Sequence, residues 1–248
     1  MAKHHWKRPS SRLTLAFLIS LVLLLGLGTW QIQRLQQKNQ QATLIADRLT
    51  LNPIALPSAD DLKDPAAQSG LDFRRVRVEG VFLHEAERHW WRPSRDGQAG
   101  YHILTPLRRQ GGQSDGEIVW IDRGWVPPDL KAPSSRQSGE VTGIQNVEGV
   151  ARLPSPRGYF TPADDAGKNL WYGNDPEALA AGMPTTVVPA IFPLVIEAVS
   201  VSPGGHPIPG QTQVILRNPH LGYAITWYGL AVALIAVFTA YHWRKDSL

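Results

Sequence analysis

Two stretches of the chain carry no charge and are almost continuously apolar, one near each end, and between them the apolar residues thin into short alternating runs. From Leu13 to Gln33, between Arg12 and Arg34, the core LTLAFLISLVLLLGLGTW is long enough, as a helix rising about 1.5 Å per residue, to cross about 30 Å of hydrocarbon. A second uncharged run extends from Asn218 to Trp243, and Gly222 to Tyr241 supplies about the 20 residues that a spanning helix needs. Lys3, Lys7, Arg8 and Arg12 precede the first run and Arg244 and Lys245 follow the second, which orients both ends toward the cytoplasm. The pattern therefore predicts a cytoplasmic tail (1–12), a transmembrane helix (13–33), an extracytoplasmic domain (34–219), a second transmembrane helix (220–242) and a short tail (243–248).

Within the middle, QIQRLQQKNQQATLIADRL continues the first helix into water with Leu35, Leu44, Ile45 and Leu49 as an interrupted apolar stripe, until Asn52-Pro53 stops it. The Pro-, Asp- and Ser-rich stretch LPSADDLKDPAAQSG reads as a surface loop. Alternation begins in FRRVRVEGVF, where Val76, Val78 and Phe82 point one way and Arg75, Arg77 and Glu79 the other, the signature of a half-buried strand. Further strands are predicted at 88–92, 101–107, 117–126, 145–152 and 192–201, and a helix at Pro176 to Ala181 behind the cap Asn174-Asp175. Gly and Pro clusters separate the strands. The predicted fold class is membrane α+β, with two terminal transmembrane helices flanking an antiparallel β-rich, barrel-like domain.

Composition sharpens this. A mean hydropathy of −0.20 means the middle faces water rather than lipid. A sequence pI near 9.5 is common among nucleic-acid-binding proteins, but here six of the 25 Lys and Arg and one of the 21 Asp and Glu sit in the two tails. The central domain is thus close to neutral, and no nucleic-acid partner is expected. Cysteine is absent, which excludes disulfides, dithiol redox chemistry, covalent c-type haem attachment and thiolate metal sites. A cleaved signal peptide fits less well than an uncleaved anchor, because the first apolar run is too long for a typical signal core and no small-x-small cleavage site stands out before QIQRLQQKNQQ. The twelve residues before it are too few for an Arg-rich organelle presequence, so a bacterial inner membrane with a periplasmic central domain is expected.

No P-loop, Gly-x-Gly-x-x-Gly or His-Glu-x-x-His occurs, so no enzyme is expected. Asp122 and Arg123 are neighbours in a strand and face opposite sides, with Gly124 ending the strand in a turn. Asp60-Asp61 and Asp164-Asp165 read as solvated loop residues. His84, His89, His102 and His206 lack metal-ligand spacing and are assigned to structure or surface, and His242 beside Trp243 to an interfacial anchor. His220 differs. It stands at the outer mouth of the second span with Tyr223 and Trp227 at i+3 and i+7 on the same helix face. Two readings fit: an aromatic belt at headgroup depth, or a neutral imidazole backed by rings and suited to a flat, apolar, metal-centred ligand such as haem. At the matching end of the first span stand Trp30, Gln31 and Arg34, beyond Gly26 and Gly28, and an antiparallel hairpin would bring Trp30 to His220.

Several motifs in order resemble the Surfeit locus protein 1 family of cytochrome c oxidase assembly factors, over nearly the whole chain. They are LGTWQIQRLQQK (27–38), RRVRVEGVF (74–82), YHILTPL (101–107), VWIDRGWVP (119–127), NVEGVARLP, the LWY around Trp171, and NPHLGYAITWYGLA (218–231). The resemblance implies a non-enzymatic chaperone of the respiratory chain that helps build the haem-copper site, with haem a as its cofactor. Within the matched motifs His220 becomes the candidate haem iron ligand, and Trp30, Tyr223 and Trp227 candidate pocket residues. The implied partners are the catalytic subunit of cytochrome c oxidase, and haem a synthase or other assembly factors. The alternative is a cofactor-free scaffold that stabilises assembly intermediates. The resemblance assigns no role to Asp122-Arg123-Gly124-Trp125.

Overall fold

The computed structural model describes residues 4–6, 9–183, 190–211 and 218–245, so Lys3, Lys7 and Arg8 of the first basic tail lie outside the described residues. The chain divides into two compact units, Met1–Leu44 with Val214–Leu248, and Ile45–Gln213.

The first unit is a helical hairpin. A short strand β1 (His4–Trp6) pairs antiparallel with the last strand, β9 (Trp243–Lys245), and between them run α1 (Ser11–Thr50) and α4 (His220–His242). α1 is one helix of 40 residues, about 60 Å long, so the polar continuation past Arg34 is helical as its stripe predicts. The partly or fully buried positions of α1, including Phe17, Leu21, Leu24, Gly28, Gln31 and Leu35, recur at alternating spacings of three and four. Ala224, Tyr228, Ala231, Leu234 and Phe238 do the same on α4. Such spacing is what two helices need to interlock along one seam. Phe17 stacks on Phe238 with ring centroids 4.0 Å apart, which makes the pair antiparallel. Away from the seam the apolar side chains are bare: Leu15, Val22, Leu23, Val232 and Val237 are each at least 60% exposed. Both helices are long and apolar enough to cross a membrane, and neither is the buried core helix of a water-soluble domain.

The second unit is a closed barrel. Strands β3 (Arg75–Phe82), β5 (Tyr101–Arg109), β6 (Ile118–Val126), β7 (Ile144–Arg152) and β8 (Ile191–Ala198) neighbour one another in the order β3-β7-β8-β6-β5, and the pairing of Gly80–Phe82 with Leu107–Arg109 closes the ring. β2 (Ile54–Ala55) adds in parallel beside β3, and β4 (Arg88–Trp91) adds antiparallel beside β5. The expected antiparallel sheet needs a correction within the ring itself: β6 and β8 run parallel. Parity forces it, because strands cannot alternate in direction all the way round a ring of five. β8 ends at Ala198, three residues before the predicted limit.

The period of two sorts the strand residues into two cores. Val76, Val78, Leu107, Val119, Ile121, Phe192, Leu194 and Ile196 form the larger cluster, and residues of the opposite parity, Leu104, Trp120 and Val195, pack with Trp90, Trp171 and Leu179 in the other. Leu179 comes from α3 (Pro176–Ala180), capped by Asp175, whose carboxylate accepts from Glu177 N at 3.2 Å.

The stretch read as a surface loop, 56–70, is instead partly helical: a single turn at Asp60–Leu62, then α2 (Pro65–Leu71). Leu56, Leu62 and Leu71 are buried in the larger core, and the cap Asp64 followed by Pro65 starts the helix. Polar composition masked three anchoring leucines spaced too widely for periodicity to register. Asp64 accepts from Ala66 N at 3.0 Å, so Asp64→Ala is expected to cost about 1 kcal/mol and lower the melting temperature by about 2–4 °C, measured by circular dichroism. An unchanged midpoint would mean that this cap carries no stability.

Candidate functional site

The hairpin seam leads to the first site. At Gly28 the helices approach so closely that a Cβ would lie 2.9 Å from the Tyr228 ring, and the Tyr228 hydroxyl lies 3.1 Å from Thr29 Oγ1. Glycine is what lets an aromatic ring seat here. One turn further along α1, Gln31 occupies the next seam position and is buried, and its Oε1 lies 2.7 Å from His220 Nδ1. Asn218 donates to Asn39 Oδ1 at 2.9 Å just beyond.

His220 itself is half-buried, as the first residue of α4, behind Pro219. With the Gln31 amide oriented so that its oxygen faces the ring, Nδ1 carries the proton and Nε2 carries the lone pair. Among the described residues Nε2 has no hydrogen-bond partner. Trp227 is half-buried beside the seam, whereas Tyr223 is 55% exposed on the outer side. Trp30 is 48% exposed, with the Arg34 guanidinium 5.8 Å from its ring. The hairpin therefore brings His220 to Gln31, the neighbour of Trp30, while Trp30 turns outward. The spacing of α1 places Gln31 on the seam and Trp30 off it, and only the seam residue can reach across.

The barrel unit holds a second concentration of buried polar groups. Glu87, between the turn 84–86 and β4, is gripped by both Nη atoms of Arg136, and Nη1 donates to Oε2 at 3.0 Å. His89 Nε2 lies 2.8 Å from Glu87 Oε1. Burial alone would raise the Glu87 carboxyl, but the hydrogen bonds from His89 and Arg136 outweigh it and hold the group below the ordinary carboxylate range. Asp122, 2% exposed, lies 2.7 Å from His102 Nδ1 and accepts from Gly124 N at 3.0 Å. Arg123 points to the opposite side, as strand alternation requires. It donates to Gly139 O and, at 3.3 Å, to Ser202 Oγ, with the Phe82 ring 5.2 Å from its guanidinium carbon. Burial pushes that guanidinium down from its ordinary value.

Two sequence expectations change here. β6 ends at Val126, the predicted limit, and makes no turn at Gly124, because the main chain of Ile208 pairs with Trp125, N to O at 2.9 Å and 2.8 Å. Asp164 is not simply solvated: it accepts from Arg157 Nη1 at 2.5 Å and from Tyr172 N at 2.7 Å. His89 and His102 are structural, as expected, and each has a specific carboxylate partner. Among the described residues no group of three His, Asp or Glu side chains is arranged to hold a metal ion.

The molecule thus joins an apolar two-helix hairpin, with one histidine at the end of its seam, to a five-stranded barrel domain. The chain belongs to the SURF1 family, whose family model matches residues 18–232. It is similar to Surfeit locus protein 1 of Takifugu rubripes, 36% identical over 236 residues that cover 88% of this chain and 90% of the relative. It is also similar to Surfeit locus protein 1 of Homo sapiens, at 34% over 240 residues with 90% and 73% coverage. A SURF1-like protein of Monosiga brevicollis is 33% identical over 229 residues, with 88% and 82% coverage.

Proposed function

We propose that this chain is a non-enzymatic membrane protein that assists assembly of the haem-copper centre of a cytochrome c oxidase and binds haem a through His220. The observation that carries the reading is the His220–Gln31 hydrogen bond. It occupies Nδ1 and leaves the basic Nε2 free, the arrangement by which second-shell partners prepare a histidine for a metal. The surroundings suit a porphyrin: Tyr223 and Trp227 follow His220 by one and two turns on its own helix, and the exposed faces beside it are apolar. Those bare Leu and Val side chains are costly in water and neutral in hydrocarbon, which supports insertion of both helices in the membrane. The flanking Lys and Arg favour a barrel domain on the non-cytoplasmic side, and a bacterial inner membrane is the proposed setting. The resemblance to a family of oxidase assembly factors supplies the partner class, the catalytic subunit with haem a synthase or other factors beside it.

His220 would hold bound haem a, and the chain's own part is to orient that ring, exclude water and present the group to a partner. The full chain, purified in detergent from cells that make haem a, is expected to show a Soret band and an extractable haem a. His220→Ala is expected to remove it. Gln31→Leu keeps the ligand but frees its ring, and is expected to weaken haem binding roughly 10- to 100-fold. Trp30→Ala is expected to lower occupancy less than His220→Ala, since Trp30 turns outward. Undiminished haem in folded His220→Ala protein would eliminate this site. Haem-free protein that still co-purifies with the oxidase would favour the cofactor-free scaffold.

A further inference from the structure

The barrel has a second feature that haem binding at His220 leaves unused. At one end of the barrel a cavity of about 170 Å³ is lined by Phe82, Arg123, Gln145, Asn146, Ser200 and Ser202 together with apolar residues, and no Asp or Glu lines it. Arg123 is only 4% exposed. Its Nη2 is spent on Gly139 O and Ser202 Oγ, but Nη1 is buried with no hydrogen-bond partner among the described residues.

A buried guanidinium with an idle N–H group is costly unless an acceptor arrives. No carboxylate of the described residues supplies one. Glu87 and Glu140 act on Arg123 only through space, and Glu87 is already held by Arg136 and His89. Arg136 works in the opposite sense, adding like charge. The wall of the cavity therefore contributes one cation, side-chain amide and hydroxyl donors from Gln145, Asn146, Ser200 and Ser202, and no compensating anion. We infer that the Arg123 cavity is a receptor for a single carboxylate group. The volume admits a carboxylate with one or two methylenes, and a single buried guanidinium balances a monoanion better than a phosphate dianion. The Phe82 ring lies 5.2 Å from the guanidinium carbon, within cation–π range, and helps to hold the group in place. Such a group can come from a glutamate of a docking protein or from a small free acid.

The test uses the full chain in detergent, with chloride at equal ionic strength as the reference. Sodium acetate and an end-capped peptide with one Glu are each titrated while the barrel's melting temperature and saturation-transfer NMR are followed. Saturable stabilisation by either carboxylate, absent with the matching Gln peptide, is the expected result. A stronger response to the Glu peptide identifies a docking side chain, and a response to acetate alone identifies a small acid. Arg123→Lys keeps the charge but loses the fork, and is expected to weaken binding roughly tenfold or more. Because a buried substitution can unfold the domain, Ser200→Asp provides the second arm. It places an internal carboxylate at the exposed rim, and is expected to raise the melting temperature and abolish the acetate response. No carboxylate response beyond chloride, or a Ser200→Asp protein that answers acetate like the parent, overturns the inference.

Discussion

Glu87→Gln is expected to destabilise the barrel unit by about 3–5 kcal/mol, because it removes one charge of a fully buried pair and leaves Arg136 uncompensated. The side chains of both partners are 3% exposed, so water cannot take over the guanidinium. Arg136 also donates to Leu130 O at 3.1 Å and Lys131 O at 3.3 Å, so the pair ties the segment 128–139 to the start of β4. Arg136→Met should cost a similar amount, while Glu87→Met with Arg136→Met should cost less than the two singles added, since no lone charge is then buried. Chemical denaturation of the parent, the two single Met variants and the double variant, followed by tryptophan fluorescence, gives the cycle. Additive losses would mean that the pair is not coupled.

The same carboxylate sets a pH dependence. Its folded-state titration lies below the ordinary value of 4.5, so its contribution is fully present above about pH 4.5 and is lost as pH falls through the folded value. The amide introduced by Glu87→Gln cannot titrate, and the acid slope of stability should flatten by that one group.

How much of this was legible beforehand differs between the two units, for physical reasons. In the hairpin nearly everything is local: an uncharged run long enough to span, a seam spaced by three and four, and basic flanks. Even Gln31 is on that seam by counting from Gly28, although only the packed pair shows that it, rather than Trp30, reaches His220. In the barrel the strands were legible because Val76, Val78 and their like alternate, but ring closure was not. Closure rests on Gly80, where a Cβ would collide with Arg108 O, a contact between residues distant in sequence. The buried ion pairs were hidden for the same reason. Glu87 and Arg136 look like surface residues in any window of the sequence, and their burial follows from a long excursion that folds back over β4. Arg123 is a partial case: strand alternation separated it from Asp122, but nothing local shows that its far side is an end of the barrel.

Gly124→Val is expected to cost about 3–5 kcal/mol, from two causes that a control can separate. The first is conformational: Gly124 sits at φ 121°, a region closed to side-chain-bearing residues, and such strain costs about 1–3 kcal/mol. The second is contact: a Cβ here would collide with Ile208 O and lie 2.7 Å from Pro209 N, main-chain atoms that cannot swing aside. The bridge between Trp125 and Ile208 would have to open, and overpacking of this kind costs about 1–3 kcal/mol more. Gly97 is the control, with φ 82° and nothing within 4 Å of its Cβ position, so Gly97→Ala carries the backbone strain without the clash and should cost about 1 kcal/mol. Gly124→Ala should then fall between the two, and a loss no larger than that of Gly97→Ala would remove the close approach from the account. The position matters beyond stability because Gly124 N donates to one oxygen of Asp122 while His102 holds the other, and Arg123 precedes it. A shift of this peptide moves the buried His102–Asp122 pair and the guanidinium at the barrel end together, so Gly124→Ala protein that still folds is expected to lose part of its carboxylate response.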